Sequence, residues 1–206
     1  QKTIAEAKAR FFRGFAYRTL TYLYGGVPLL LTEVIEPKFD YVRASKEEVL
    51  RQALTDVEFA AAHLPSLSSV QDGEVSNAAA YHLLSELYLA TAQYQKAVDA
   101  ATTVIDDPAT GLMYTRFGSR ANELPGDVYW DLFRKNNQNR SSGNTEGIWV
   151  IQIETDTPGG SGSLTAKDQT YTLERHHAPM VRDVKAHGMN PFSWPIGDYT
   201  GGRGIG

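Results

Sequence analysis

The sequence predicts a mainly α-helical protein, with a stack of paired helices followed by an irregular, loop-rich lobe that contains short strands. Three observations predict this fold. Four segments within residues 1–108 repeat apolar residues at helical spacing. The last two of them form one helix-turn-helix repeat. From residue 109 onward, Gly, Asn, Ser, Thr and Pro replace the helical pattern. We therefore predict a helical part, 1–108, and a lobe, 109–206, packed on it within one domain.

The first helix is predicted from Ile4 to about Tyr24, where the apolar residues form a wide arc. One line of this arc contains Ile4, Phe11, Phe15 and Tyr22, and a second line beside it contains Phe12, Ala16, Leu20 and Leu23. A helix with so wide an apolar arc is expected to pack on two sides. Gly25 and Gly26 end the helix.

The next two helices begin at predicted caps. Ser45 and Glu48 are spaced for a capping box, in which each side chain binds the backbone N–H of the other residue. The apolar face of this second helix runs from Val49 to Leu64. Ser76 is placed to cap the third helix.

Residues 81–108 match one complete tetratricopeptide repeat, a unit of about 34 residues. The matching positions are Tyr81, Leu84, Tyr88, Tyr94, Ala97 and Ala101. The two small residues are expected to let the helices approach closely, and Tyr94 is expected to fill the gap after the turn. The fourth helix then runs from about Tyr94 to Ile105. Such repeats bind partners and rarely catalyse reactions, and one repeat needs neighbours to cover its outer faces.

The lobe contains two predicted elements. Asp127 is placed to start a short helix over residues 128–133. The apolar run between Gly147 and Glu154 predicts a short buried strand, with Trp149 in the core. Trp130 is interpreted as a packing anchor.

Composition limits the classes of partner. The chain has 206 residues, 42% of them hydrophobic, which is enough for a sizeable core. A net charge of −4 without a basic stripe argues against a nucleic-acid partner. Cysteine is absent, so disulfides are excluded, and the longest apolar run is too short to cross a bilayer. The chain begins within a helical pattern and ends in a Gly-rich string, so we interpret it as a fragment.

Several segments together resemble the SusD/RagB family. They are FFRGFAYRTLTYLYGGVPLL at 11–30, RASKEEVLRQALTDVEFAAAHLP at 43–65, VSNAAAYHLLSELYLATAQYQKAVDAATTVID at 75–106 and GDVYWDLFRKNNQNRSSGNTEGIWVIQIE at 126–154. The resemblance implies a surface-exposed outer-membrane lipoprotein, lipid-anchored upstream of this fragment and truncated at its C-terminal side. It further implies binding of an oligosaccharide or peptide and delivery to a TonB-dependent, SusC-like transporter. It implies neither enzymatic activity nor a cofactor.

Ligand capture of this kind needs flat aromatic faces beside groups that hydrogen-bond hydroxyls. Trp194, Tyr199 and Arg203 offer this combination near the C-terminus, and Asn137 and Asn139 offer polar groups in the loop 134–144. These five residues are the predicted ligand contacts. Two alternatives stay open, because Trp194 would also suit a packing role against the helices and the asparagines would also suit tight turns.

Other candidate chemistry is weak in this sequence. His176, His177, Asp183 and His187 have no recognised metal-ligand spacing, and no metal site is predicted. Glu154 and Asp156 leave Ca²⁺ binding open. His82 and Glu86 are interpreted as a pair on an exposed helix face.

Two functions from different classes therefore remain. The first is a nutrient-binding protein that serves a transporter. The alternative is a scaffold of the tetratricopeptide type, which binds proteins and no small ligand. An enzyme is the third and least supported class.

Overall fold

The computed structural model describes residues 1–152, except Pro125 and Lys135. The chain divides into two compact units, Gln1–Val150 and Ile151–Gly206, and every element described below lies in the first. It contains five α-helices: α1 Lys2–Tyr24, α2 Lys46–His63, α3 Asn77–Ala90, α4 Tyr94–Ile105 and α5 Val128–Leu132. Single 3₁₀ turns span Leu67–Ser69 and Arg140–Ser142. The predicted mainly α-helical fold is confirmed.

The four long helices form a consecutive stack. Helix α1 packs on α2, α2 on α3 and α3 on α4, and α1 also touches α3. Small and branched side chains fill the interior of this stack, where burial of apolar area supplies the main stabilising free energy. The hydrophobic residues of the described chain with no more than 1% exposure are Ala7, Phe11, Val49, Ala53, Val57, Ala60, Ala80 and Leu87.

Helix α1 approaches α2 most closely at Gly14. A Cβ atom placed on Gly14 would lie 2.5 Å from Cγ2 of Val57 and 3.1 Å from the carbonyl oxygen of Ala53. Gly14 thus lets the two backbones meet. The predicted packing of α1 on two sides is not observed along its whole length, because Phe12, Leu20 and Leu23 of the second apolar line are exposed within the described part of the chain.

All three predicted helix caps are confirmed. Ser45 Oγ accepts from the Glu48 N–H at 3.2 Å, and Glu48 Oε2 accepts from the Ser45 N–H at 2.8 Å, which completes the capping box. Ser76 caps α3 through the Ala79 N–H, at 3.4 Å. Asp127 caps α5 in the same way, since its Oδ1 accepts from the Trp130 N–H at 2.7 Å.

A buried ion pair joins α1 to α2. The carboxylate of Asp56 is fully buried, and it accepts two hydrogen bonds from Arg13, from Nε at 2.7 Å and from Nη2 at 2.6 Å. Arg13 Nη1 also donates to the carbonyl of Leu31, which ties the loop after α1 to the same guanidinium. The hydrogen bonds to Asp56 raise the pKa of Arg13 above its usual value.

The repeat at residues 81–108 forms the predicted helix pair, with two corrections. Leu84, Tyr88 and Ala97 are buried as expected, but Tyr94 is 66% exposed and does not fill the gap between the helices. It is the first residue of α4, and its ring points away from the core. The second small residue of α4 that is buried in the core is Ala100, and the predicted Ala101 is only partly buried.

Tyr88 also connects the repeat to the preceding helix. Its hydroxyl donates to Glu58 Oε1 at 2.7 Å, across the contact between α2 and α3. Burial and this acceptor raise the pKa of Tyr88 above its ordinary value. The repeat is therefore held to α2 by a polar contact as well as by apolar packing.

The described part of the lobe, residues 109–152, is irregular outside α5 and the second 3₁₀ turn. Residues 148–152 of the predicted strand form no strand, because no described segment pairs with their backbone. Their anchor is the Trp149 side chain, which packs against α1. The predicted division at residue 108 stays a prediction. No helix in the described residues has the length and apolar character that crossing a membrane requires.

Candidate functional site

A cavity of about 370 Å³ lies between α1, α3 and the lobe segment 146–149. Its volume is in the usual range of small-molecule sites. Aromatic, aliphatic and charged side chains meet in its wall. The lining residues are Phe11, Phe15, Arg18, Ala79, His82, Leu83, Glu86, Glu146, Gly147, Ile148 and Trp149.

One side of the cavity is aromatic. Phe11 and Phe15 are four residues apart on α1, so they share a helix face, and their rings are nearly parallel with centroids 6.3 Å apart. Trp149 meets both rings edge-on, at 5.5 Å from Phe11 and 5.8 Å from Phe15. The Trp149 indole N–H donates to the carbonyl of Gly73 at 3.2 Å. This bond fixes the indole, so the aromatic wall is held in place before any ligand arrives.

The cavity wall also carries an ion pair between two helices. Arg18 on α1 donates from Nη2 to Glu86 Oε2 on α3, and both side chains are about one third exposed or less. The Arg18 guanidinium also lies 4.8 Å from the ring centroid of Tyr22. Its Nε is buried and has no hydrogen-bond partner among the described residues. The pair therefore places a guanidinium beside a carboxylate in the cavity wall.

The lobe edge of the cavity is held by Glu146 and Asn144. Glu146 Oε1 accepts from the Met113 N–H at 2.8 Å, which ties two irregular segments of the lobe together. Asn144 is buried, and its Oδ1 accepts from the N–H groups of Glu146 and Gly147 at 3.0 and 3.2 Å. Side-chain hydrogen bonds thus give this loop a fixed shape without regular secondary structure.

This arrangement suits binding of a molecule with both apolar faces and hydroxyl groups. Aromatic rings supply contact area, while the Arg18–Glu86 pair supplies a donor and an acceptor that fix orientation. Within residues 1–152 as described, no three His, Cys, Asp or Glu side chains cluster closely enough to hold a metal ion.

Two of the predicted ligand contacts, Asn137 and Asn139, are among the described residues, and they lie outside the cavity lining. Asn137 is fully buried, and its Nδ2 donates to the carbonyls of Phe117 and Asp131 at 3.3 and 3.0 Å. Its Oδ1 accepts from the Ser119 N–H, so the whole amide is used within the fold. Asn139 is partly exposed and precedes the turn Arg140–Ser142. Neither asparagine lines the cavity.

The other residues singled out from the sequence lie outside the described residues. These are Trp194, Tyr199 and Arg203, the candidate metal ligands His176, His177, Asp183 and His187, and the acids Glu154 and Asp156. Their roles remain predictions from the sequence.

Sequence reasoning missed the polar side of the cavity. It interprets His82 and Glu86 as an exposed pair on one helix. His82 is exposed and Glu86 is partly buried, and both line the cavity, where Glu86 pairs with Arg18. The available signal was the placement of Arg18 three residues after Phe15, on the same face of α1. Its partner on α3 is 68 residues away in sequence, so spacing within one helix does not reveal it.

Comparison with known proteins supports the resemblance. Residues 2–89 match the model of a SusD-like family, described as starch-binding and associating with the outer membrane. No protein with a curated description matches the chain. The family's description is one of carbohydrate binding, in line with the prediction of a binding protein rather than an enzyme.

Solved structures share the fold. A SusD-like carbohydrate-binding protein of Bacteroides fragilis matches 74% of the chain at 22% identity, with a TM-score of 0.62. A SusD superfamily protein of Bacteroides thetaiotaomicron matches 77% at 23% identity, with a TM-score of 0.61. A third structure, solved with a xylogluco-oligosaccharide, matches 74% at 24% identity, with a TM-score of 0.58.

The matched parts are 28%, 33% and 30% of those three proteins, so the chain spans about a third of their length or less. At such identities the likeness establishes the fold, and the family match over residues 2–89 adds a likeness in sequence. Together these findings show that the chain has the fold of SusD-like proteins and that residues 2–89 are similar in sequence to the SusD-like family.

Proposed function

We propose that this chain is part of a surface-exposed outer-membrane lipoprotein that binds oligosaccharides and delivers them to a TonB-dependent, SusC-like transporter. The lipid anchor would lie upstream of Gln1. The observation that carries the proposal is the cavity whose wall contains three aromatic rings and the Arg18–Glu86 pair. The description of the family as starch-binding and associating with the outer membrane supports the same function.

The chemistry of the cavity favours a saccharide over a peptide. A sugar ring has one face of C–H groups, which packs on aromatic rings such as Phe15 and Trp149, and an edge of hydroxyls that both donate and accept. Arg18 and Glu86 match that edge with a donor and an acceptor side by side. The saccharide in the third related structure supports this choice of ligand class.

The binding half of the proposal is tested by titration calorimetry on the full-length protein, with maltoheptaose, a xylogluco-oligosaccharide and mixed tetrapeptides as probes. We expect a saccharide to bind. Arg18→Gln and Glu86→Gln each remove one charge-assisted hydrogen bond to the ligand, worth about 1.5 kcal/mol or more, so affinity falls about tenfold. Matched controls are Arg51→Gln and Glu47→Gln, exposed residues of α2 outside the cavity lining.

Several outcomes would count against this half. Unchanged affinity in both cavity variants, with melting temperatures equal to wild type, would exclude the cavity as the binding site. Binding of peptides alone would show that the saccharide assignment is wrong. Recovery of a protein partner without any saccharide binding would favour the scaffold alternative.

The delivery half is tested separately by affinity purification of the full-length protein from outer membranes of the native bacterium. We expect a TonB-dependent transporter to copurify, and palmitate labelling to mark the protein as lipidated. A preparation that binds saccharide but recovers no transporter would contradict delivery and leave binding intact.

We also propose additional contacts for the same ligand at Trp194, Tyr199, Arg203 and Asn139. The division of the chain into a helical part, 1–108, and a lobe, 109–206, is likewise proposed.

A further inference from the structure

Helix α5 is short but firmly anchored on the lobe. The Asp131 carboxylate has no exposed surface. It accepts from Arg116 Nε at 2.5 Å, Arg116 Nη2 at 3.0 Å and the Phe117 N–H at 3.2 Å. The Asp131 carbonyl accepts from Asn137 Nδ2, and Asp127 caps the first turn. These bonds fix the orientation of α5.

Trp130 is packed between a glycine and an arginine. A Cβ atom on Gly126 would lie 2.2 Å from Cε3 of the Trp130 ring, so only glycine fits against this indole. The guanidinium of Arg134 stacks on the Trp130 ring, and its Cζ lies 3.3 Å from the ring centroid. Stacking occupies the flat face of a guanidinium and leaves its N–H groups at the edge for other acceptors. Arg134 Nε has no partner among the described residues.

The outer face of α5 presents two large rings to solvent. Tyr129 and Phe133 are four residues apart, 71% and 72% exposed, and their centroids lie 5.0 Å apart. Beside them is an open depression of about 600 Å³ lined by Gly126, Asp127, Tyr129 and Trp130. Two neighbouring exposed rings form a contiguous apolar patch, and such patches mark binding surfaces more often than single exposed side chains do.

The charges around α5 are balanced in pairs. Arg116 is paired with the buried Asp131, and Arg120 with Glu123 at 2.7 Å. Among the described residues, this surface also carries the carboxylate of Asp127 and the guanidinium of Arg134, which are of opposite sign. A surface without a dominant charge complements a neutral ligand that carries both donors and acceptors.

We propose that the surface formed by Asp127, Tyr129, Trp130, Phe133 and Arg134 is a second binding site for neutral carbohydrate, separate from the cavity between α1 and α3. Sugar rings lie on Tyr129 and Phe133, while Asp127 and Arg134 hydrogen-bond hydroxyl groups. The choice of carbohydrate as ligand rests on the proposed function. A protein with two sites binds a long polysaccharide more tightly than either site alone, because the second contact is intramolecular.

The test combines stoichiometry with variants of each site in the full-length protein. Calorimetry with maltoheptaose and with a xylogluco-oligosaccharide is expected to show two sites in the wild type. The double variant Tyr129→Ala/Phe133→Ala is expected to show one. Native gel electrophoresis through soluble starch or xyloglucan is expected to show retardation weakened about tenfold or more in that variant. The matched control is Tyr94→Ala, which removes an exposed ring from α4.

The outcomes separate this inference from the proposed function. If the Tyr129→Ala/Phe133→Ala variant still binds at two sites and is retarded as strongly as the wild type, the second site is overturned. This holds even if Arg18→Gln lowers affinity at the cavity. Loss of all binding in the double variant, with Arg18→Gln unchanged, would support the α5 site and overturn the cavity instead. Melting temperatures within the range of the Tyr94→Ala control establish that the variants are folded.

Discussion

Asp131 illustrates how one side chain organises the lobe. It is buried, and its carboxylate gathers hydrogen bonds from Arg116 and from the Phe117 N–H. The hydrogen bond from Arg116, followed by the one from the backbone, lowers the pKa of Asp131 below the usual aspartate value. A group with a lowered folded-state pKa stabilises the folded protein above its unfolded pKa of about 3.9, and this contribution disappears as pH falls through the folded value.

We therefore predict that the stability difference between wild type and Asp131→Asn depends on pH. At pH 7 the wild type is the more stable protein, because the variant loses the carboxylate charge that forms an ion pair with Arg116. Below about pH 4 the difference shrinks as Asp131 becomes protonated in the wild type. Urea unfolding of both proteins between pH 7 and pH 3 measures this difference in the free energy of unfolding. Asp40→Asn, an exposed control, is expected to show no such trend; a constant gap for Asp131→Asn would contradict the prediction.

At the residue scale, a side chain type alone does not reveal its role. The sequence predicts Asn137 as a ligand contact, and the structure uses its amide to join Phe117, Ser119 and Asp131. Asn suits both roles, and the choice depends on which backbone groups the fold brings near it. Helix caps were predictable because the cap and its target lie three residues apart, as at Ser45 and Glu48.

At the element scale, α1 and α2 depend on the absence of a side chain at Gly14. We predict that Gly14→Ala lowers the free energy of unfolding by up to about 2 kcal/mol. Alanine favours a helix by about 1 kcal/mol over glycine, but a methyl group 2.5 Å from Val57 Cγ2 forces the helices apart, which costs about 1–3 kcal/mol. Chemical denaturation gives the value.

A double-mutant cycle supplies the control for Gly14. Val57→Ala removes the methyl group that the new side chain would meet, so Gly14→Ala is expected to cost about 1 kcal/mol less in that background. Equal costs in both backgrounds would show that the close approach at Val57 is not the cause.

The elements of the helical part were more predictable than those of the lobe. Helices α1 to α4 are amphipathic, and their periodic pattern is local. The run after Gly147 has strand composition, yet residues 148–152 are irregular, since a strand needs a partner that sequence alone does not show. The same limit applies to the cavity, whose wall combines residues of α1, α3 and the lobe.

At the scale of the whole molecule, Trp149 links the described part of the lobe to the helices. Its ring meets Phe11, Phe12 and Phe15 at 5.5 to 5.9 Å, and its N–H binds the carbonyl of Gly73. The prediction of Trp149 as a packing residue agrees with these contacts. The indole also forms part of the cavity wall, so attachment of the lobe and formation of the site depend on one side chain.

We predict that Trp149→Ala lowers the free energy of unfolding by about 2–3 kcal/mol, less than for a fully buried tryptophan because Trp149 is only partly buried. The loss should be uneven. Hydrogen exchange is expected to increase in residues 109–147, while the amides of α2 and α3 stay protected, because the core between those helices does not include Trp149. Trp149→Phe keeps most of the aromatic contact but loses the bond to Gly73, and should cost about 1 kcal/mol. An equal rise of exchange in α2, α3 and the lobe would instead place Trp149 in one cooperative core with the helices.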